Sequence, residues 1–67
     1  MEKGQCFTFR FPDGDVKGYF FTGELDRNGN YVMCEMLPLH EISMCSFWRM
    51  NKTYFDSNLK SGVIELI

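Results

Sequence analysis

Polar and apolar residues alternate from Gln5 to Phe11, with Phe7, Phe9 and Phe11 on one side and Cys6, Thr8 and Arg10 on the other. This period of two predicts a half-buried β-strand whose inner face is entirely phenylalanine. In the following Phe11-Pro12-Asp13-Gly14, Pro12 sets φ for the second position of a type I turn. Asp13 suits the third position, and Gly14 accepts the left-handed conformation of a bulge on re-entry. Counting from that turn opposes Phe9 to Lys17, Phe7 to Tyr19 and Gln5 to Phe21. The predicted second strand, Val16 to Leu25, carries rings on both faces: Tyr19 and Phe21 on the Phe7 side, Phe20 on the other. Within it, Gly18 and Gly23 permit sharp coiling or a close backbone approach.

A second turn, Asp26-Arg27-Asn28-Gly29, allows two pairings of a third strand, Tyr31 to Leu37. A type I turn opened by Asp26 puts Glu35 across from Phe21, on the aromatic side. A type I′ turn on Asn28-Gly29 turns Glu35 away with Tyr31 and Met33, because a one-residue slip moves every side chain to the other face. Pro38 ends this meander, since it cannot donate to a sheet ladder. Leu39, Ile42, Cys45 and Trp48 recur every third residue, while Ile42, Met44, Ser46, Trp48 and Met50 alternate. The expectation is a loop through His40 and Glu41, then a fourth strand from about Met44 to Met50. Asn51-Lys52 reads as a turn before the aromatic pair Tyr54-Phe55, and Asp56 to Gly62 as one capped helical turn. Val63 to Ile67 is the closing strand.

These elements predict an all-β, five-stranded antiparallel barrel or strongly bent sheet, with one short helical turn before the last strand. At 67 residues the chain holds a single domain, residues 1–67. The layout resembles that of an SH3-like barrel. It carries no family motif, and the acidic-aromatic opening of peptide-binding SH3 domains is missing, so their proline-rich ligands are not carried over. Small-barrel toxins that cleave RNA share the general shape, with Arg10 and Arg49 as phosphate contacts, but no signature of theirs is present. Fold-level likeness does not establish function.

Seven Lys and Arg against nine Asp and Glu give a net charge of −2. The basic residues are scattered singly, so no basic run is available to neutralise successive phosphates. Neither a secretory leader nor an apolar run of membrane-spanning length is visible, which predicts a cytoplasmic protein without membrane contact. Three cysteines, Cys6, Cys34 and Cys45, cannot all pair within one chain, and reduced thiols are the expectation. With His40 they have the ligand types of a zinc centre, but no C-x-x-C spacing supports it, and neither metal nor cofactor is expected. The stretch beginning at Asp26 lacks the Gly and Glu that an EF-hand loop needs at its sixth and twelfth positions. His40 is the single histidine, and no catalytic residues are expected.

Binding is the better reading. Phe47-Trp48-Arg49-Met50 and Tyr54-Phe55 concentrate the residue types enriched at protein interfaces. Alternation sends Phe47 and Trp48 to opposite faces, as it does Tyr19 and Phe20, so the sheet has more rings than one core face can hold. The expected function is a non-catalytic interaction module, an accessory or inhibitor of bacterial or phage type. It binds a protein partner or a second copy of itself through Trp48, Arg49, Tyr54 and Phe20. The alternative is nucleic-acid binding, with Phe20, Trp48 or Tyr54 stacking on bases and Arg10, Arg49 and Lys52 meeting phosphates. A zinc-stabilised Cys/His domain is the second alternative.

Overall fold

The computed structural model describes residues 1–36 and 47–67. Five antiparallel strands form one sheet: β1 (Cys6–Arg10), β2 (Val16–Leu25), β3 (Tyr31–Glu35), β4 (Phe47–Met50) and β5 (Ile64–Leu66), with α1 (Lys52–Ser61) before the last strand. Their order across the sheet is β4-β3-β2-β1-β5, so β4 and β5 are the two edges and the sheet does not close. The expected loop at His40 and Glu41 and the start of the fourth strand at Met44 lie outside the described residues.

The first hairpin forms as its turn residues dictate. Gly14 N–H donates to the Phe11 carbonyl at 2.9 Å, and Phe11 N–H to that of Asp15 at 2.8 Å. Gly14 takes φ +92°, which a side chain would resist. The register follows, with Phe7 opposite Tyr19 and Phe9 opposite Lys17. Phe21 N–H reaches the Gln5 carbonyl at 2.9 Å, extending the pairing beyond β1.

Asp26 opens the second turn. Its Oδ1 accepts from the N–H groups of Asn28 and Asn30 at 2.8 and 2.9 Å, and Gly29 N–H donates to the Asp26 carbonyl at 3.0 Å. Leu25 accordingly faces Tyr31, but the register then shifts, and Phe21 faces Met33 while Tyr19 faces Glu35. The shift is a bulge across Thr22, Gly23 and Glu24. There Thr22 Oγ1 donates to the Val32 carbonyl at 2.8 Å and accepts from Glu24 N–H at 3.3 Å, replacing ladder bonds the bulge forfeits. Glu35 stays on the aromatic side, as a turn opened by Asp26 requires, but pairs with Tyr19, two residues nearer the start of β2 than the expected Phe21.

The helix is longer than its sequence signal. Asp56 to Gly62 predicts one turn, yet α1 begins at Lys52, capped by Asn51, whose Oδ1 accepts from Thr53 and Tyr54 N–H at 2.8 and 3.4 Å. Asn51 reads equally well as a turn residue or as a cap, and only the continuation of the chain separates the two. The end matches expectation: Gly62, at φ +85°, donates its N–H to the Leu59 carbonyl.

One face of the sheet, together with α1, forms the core, with Phe7, Tyr19, Met33 and Ile64 almost fully buried. Phe55 of α1 sits edge-on to Phe7 at 5.3 Å and to Tyr31 at 5.5 Å between centroids. Such edge-to-face pairs add to the stabilisation from burial.

Candidate functional site

Beyond the end of β1, Phe11 remains half-buried. Its ring packs 5.0 Å from Phe9 and, edge-on, 6.0 Å from Trp48, the single tryptophan. Trp48 in turn lies 5.1 Å from Tyr19, inclined at 38°, and stays 37% exposed. The indole therefore closes the core on one side and faces outward on the other.

That outward side opens into a cleft of about 830 Å³ among the first turn, the end of β4 and α1. Phe11 and Pro12 border it from the turn, Trp48 and Met50 from β4, and Tyr54 and Asn58 from α1. Asn51, Tyr54 and Asn58 follow one another at steps of three and four residues, so they share one stripe of the helix. Tyr54 is 53% exposed whereas its neighbour Phe55 is 3% exposed: one points to the cleft side and the other into the core. A volume of this size lies in the range of pockets that hold a small molecule or a few residues of a peptide.

Among the described residues, the charged ones bordering the cleft are Arg10 and Arg49. The Arg49 Nε lies 3.6 Å from Asp26 Oδ2. This carboxylate is held below its usual range, mainly by the Asn30 backbone N–H, against an opposing effect of burial. The Asn28 backbone N–H, the Asn30 side chain and the Arg49 charge lower it further. Arg10 has no ion pair among the described residues. Nearby, Lys17 Nζ stands 5.6 Å from the centre of the Phe11 ring, within cation–π range.

Of the four residues predicted to bind, the fold gathers three: Trp48, Arg49 and Tyr54 all border the cleft. Phe20 does not join them. It pairs with Cys6 and Cys34, on the face away from Tyr19 and Trp48, where it is half-buried. Phe11, Pro12 and Asn58 were not foreseen. Phe11 continues the phenylalanine face of β1 and reads as core, and only the turn carries it to the rim beside Trp48.

The zinc alternative loses a ligand, because Cys34 is disulfide-bonded and zinc binds thiolate. This also corrects the expectation of reduced thiols throughout; Cys6 is a free thiol. His40 and Cys45 lie outside the described residues, among which no group of three or more His, Cys, Asp or Glu side chains is placed to hold a metal. No helix among the described residues is long and apolar enough to cross a membrane.

Compared with protein-family models, with curated proteins and with solved structures, the chain matches none.

Proposed function

We propose that this chain is a non-catalytic interaction module, of accessory or inhibitor type, that binds a protein partner in the cleft bordered by Trp48 and Tyr54. The observation that carries this reading is the exposure of two large rings on opposite sides of one apolar cleft. Trp and Tyr contribute large contact areas with few torsions to immobilise, and truncating such anchors commonly costs more than 2 kcal/mol of binding. Monomers seldom leave such surfaces uncovered without a use for them.

Peptide ligands selected from a displayed random library on the wild-type protein and on Trp48→Ala test the reading. Ligands of the wild type should survive high-salt washing, change the emission of Trp48 and be lost on Trp48→Ala. Equal retention by that variant overturns the reading. So does binding confined to oligothymidylate and falling steeply with salt, the behaviour of a phosphate-binding surface. Light scattering across protein concentration separates a foreign partner from a second copy of the chain, the alternative occupant.

A further inference from the structure

The strand order leaves two edges, β4 and β5, and the hydrogen bonds inside the sheet establish which backbone groups each edge presents. Met36 N–H donates to the Gly18 carbonyl at 2.9 Å, and the Val32 carbonyl accepts from Thr22 Oγ1. The even-numbered residues of β3 therefore bond toward β2. Tyr31 and Met33 bond toward β4, where they face Met50 and Trp48, because direction alternates along an antiparallel ladder. This leaves the N–H and carbonyl groups of Phe47 and Arg49 pointing away from the sheet, with no described strand beyond them. By the same alternation β5 bonds to β1 and its flank through Val63 and Ile67 and presents Ile64 and Leu66 outward.

An open edge accepts another strand, and the side chains decide which one. Antiparallel pairing of β4 with a second copy, Phe47 against Arg49 of the second copy, gives every one of the outward groups of both residues a partner. Trp48 then meets Trp48 of the second copy on the core face, at a closely spaced, non-hydrogen-bonded position. Phe47 is 62% and Trp48 37% exposed, so both rings have surface left to bury. On the other face the Phe47 ring meets a guanidinium, a cation–π pair, while Arg49 meets no like charge and keeps its Nε 3.6 Å from Asp26 Oδ2. The equivalent pairing of β5 opposes Ile64 to Leu66 and sets Glu65 directly against Glu65 of the second copy, which is destabilising. At the centre of its outward pair β5 has a carboxylate that resists self-pairing, and β4 has an indole that favours it.

We propose that β4 is a self-association edge, through which two copies pair antiparallel over Phe47–Arg49 into one continuous sheet about a two-fold axis. The pairing goes beyond the cleft reading and does not depend on it, since it runs on backbone groups of β4.

Sedimentation equilibrium together with amide hydrogen exchange, each across protein concentration and without ligand, tests it. An interface this short belongs among the weak ones, so a dimer should form over roughly 10 µM to 1 mM. As it forms, the amides of Phe47 and Arg49 should gain protection, while those of Ile64 and Leu66 stay as they are in the monomer. Arg49→Pro removes an N–H that faces away from the sheet, a position where an edge strand tolerates proline. It deprives the dimer of half its backbone bonds and should raise the dissociation constant on the order of tenfold or more. Arg49→Ala keeps the N–H and should raise it about threefold, through the lost ring contact. Should Arg49→Pro fail to melt cooperatively, exchange at Phe47 and Arg49 of the wild type carries the test. A monomer throughout the range overturns the proposal. So does a dimer that protects Ile64 and Leu66 instead, or one that a folded Arg49→Pro variant forms as readily as the wild type. Mass and exchange are read in the absence of any peptide, so this proposal and the cleft reading can each fail alone.

Discussion

The indole of Trp48 packs 5.1 Å from the ring of Tyr19, and the Tyr19 hydroxyl beside it is buried with no hydrogen-bond partner among the described residues. A phenol placed in this way sits in the core for its ring and bears a desolvation cost for its oxygen. Removing the oxygen relieves that cost, because an unsatisfied buried polar group is unfavourable by about 1–3 kcal/mol. Tyr19→Phe should therefore raise the unfolding free energy by about 1 kcal/mol in urea titrations. A fall in stability would mean that the hydroxyl makes a native hydrogen bond.

The same burial sets an alkaline limit. Desolvation, aided by the charges of Glu35 and Asp15, pushes the Tyr19 phenol up to about 12 from 10.0. The folded state thus holds this proton more tightly than the unfolded state. The associated stability is complete below the unfolded value and is lost as pH rises through the folded one. Between pH 10 and 12 the wild type should lose about 2 kcal/mol that Tyr19→Phe retains. Spectrophotometric titration should show one of the three tyrosines ionising near pH 12, a step that Tyr19→Phe lacks.

Tyr54 and Phe55 are adjacent with opposite environments, 53% and 3% exposed. Phe55→Ala should cost about 3–5 kcal/mol, enough in a domain of this size to abolish cooperative unfolding. Tyr54→Ala should change stability by less than about 0.5 kcal/mol and yet remove ligand binding. Equal stability losses from the two would place both rings in the core and remove Tyr54 from the cleft wall.

Asn51 serves two purposes through two atoms, which substitutions can separate. Asn51→Ala removes the cap and should cost about 1 kcal/mol. Asn51→Asp preserves the cap, since Asp and Asn rank together at this position, but replaces the free donor with a carboxylate. Its melting temperature should match the wild type while its affinity for a peptide selected on the cleft drops. Unchanged affinity would remove Asn51 Nδ2 from the binding surface.

Acid should loosen the second hairpin. The hydrogen bonds from Asn30 and Asn28 hold the Asp26 carboxyl below its ordinary value of 3.8. The folded state therefore favours the ionised form, and this contribution is present above the unfolded value and lost as pH falls through the folded one. Asp26→Ala should be less stable at neutral pH and show a flatter decline between pH 5 and 2 than the wild type. Parallel acid limbs would show that Asp26 does not contribute to that decline.

Local chemistry determined much of this protein from its sequence alone. Pro12, Asp13 and Gly14 fix a turn among neighbouring residues, and the Phe7–Tyr19 register follows by counting. Gly62 stops the helix for the same local reason, its left-handed φ. The tertiary structure decided what depends on distant partners. The length of α1 is one such feature, because its first turn carries a single fully buried ring, Phe55, held between Phe7 and Tyr31, and no short-range pattern announces that contact. The bulge at Gly23 is another. It reconciles a turn opened by Asp26 with the pairing of Phe21 and Met33, and turn residues alone do not specify where along a strand such a shift falls. The cleft is the third, since Phe11, Trp48 and Tyr54 meet only when three elements pack, and residue types that favour interfaces acquire a shared surface only then.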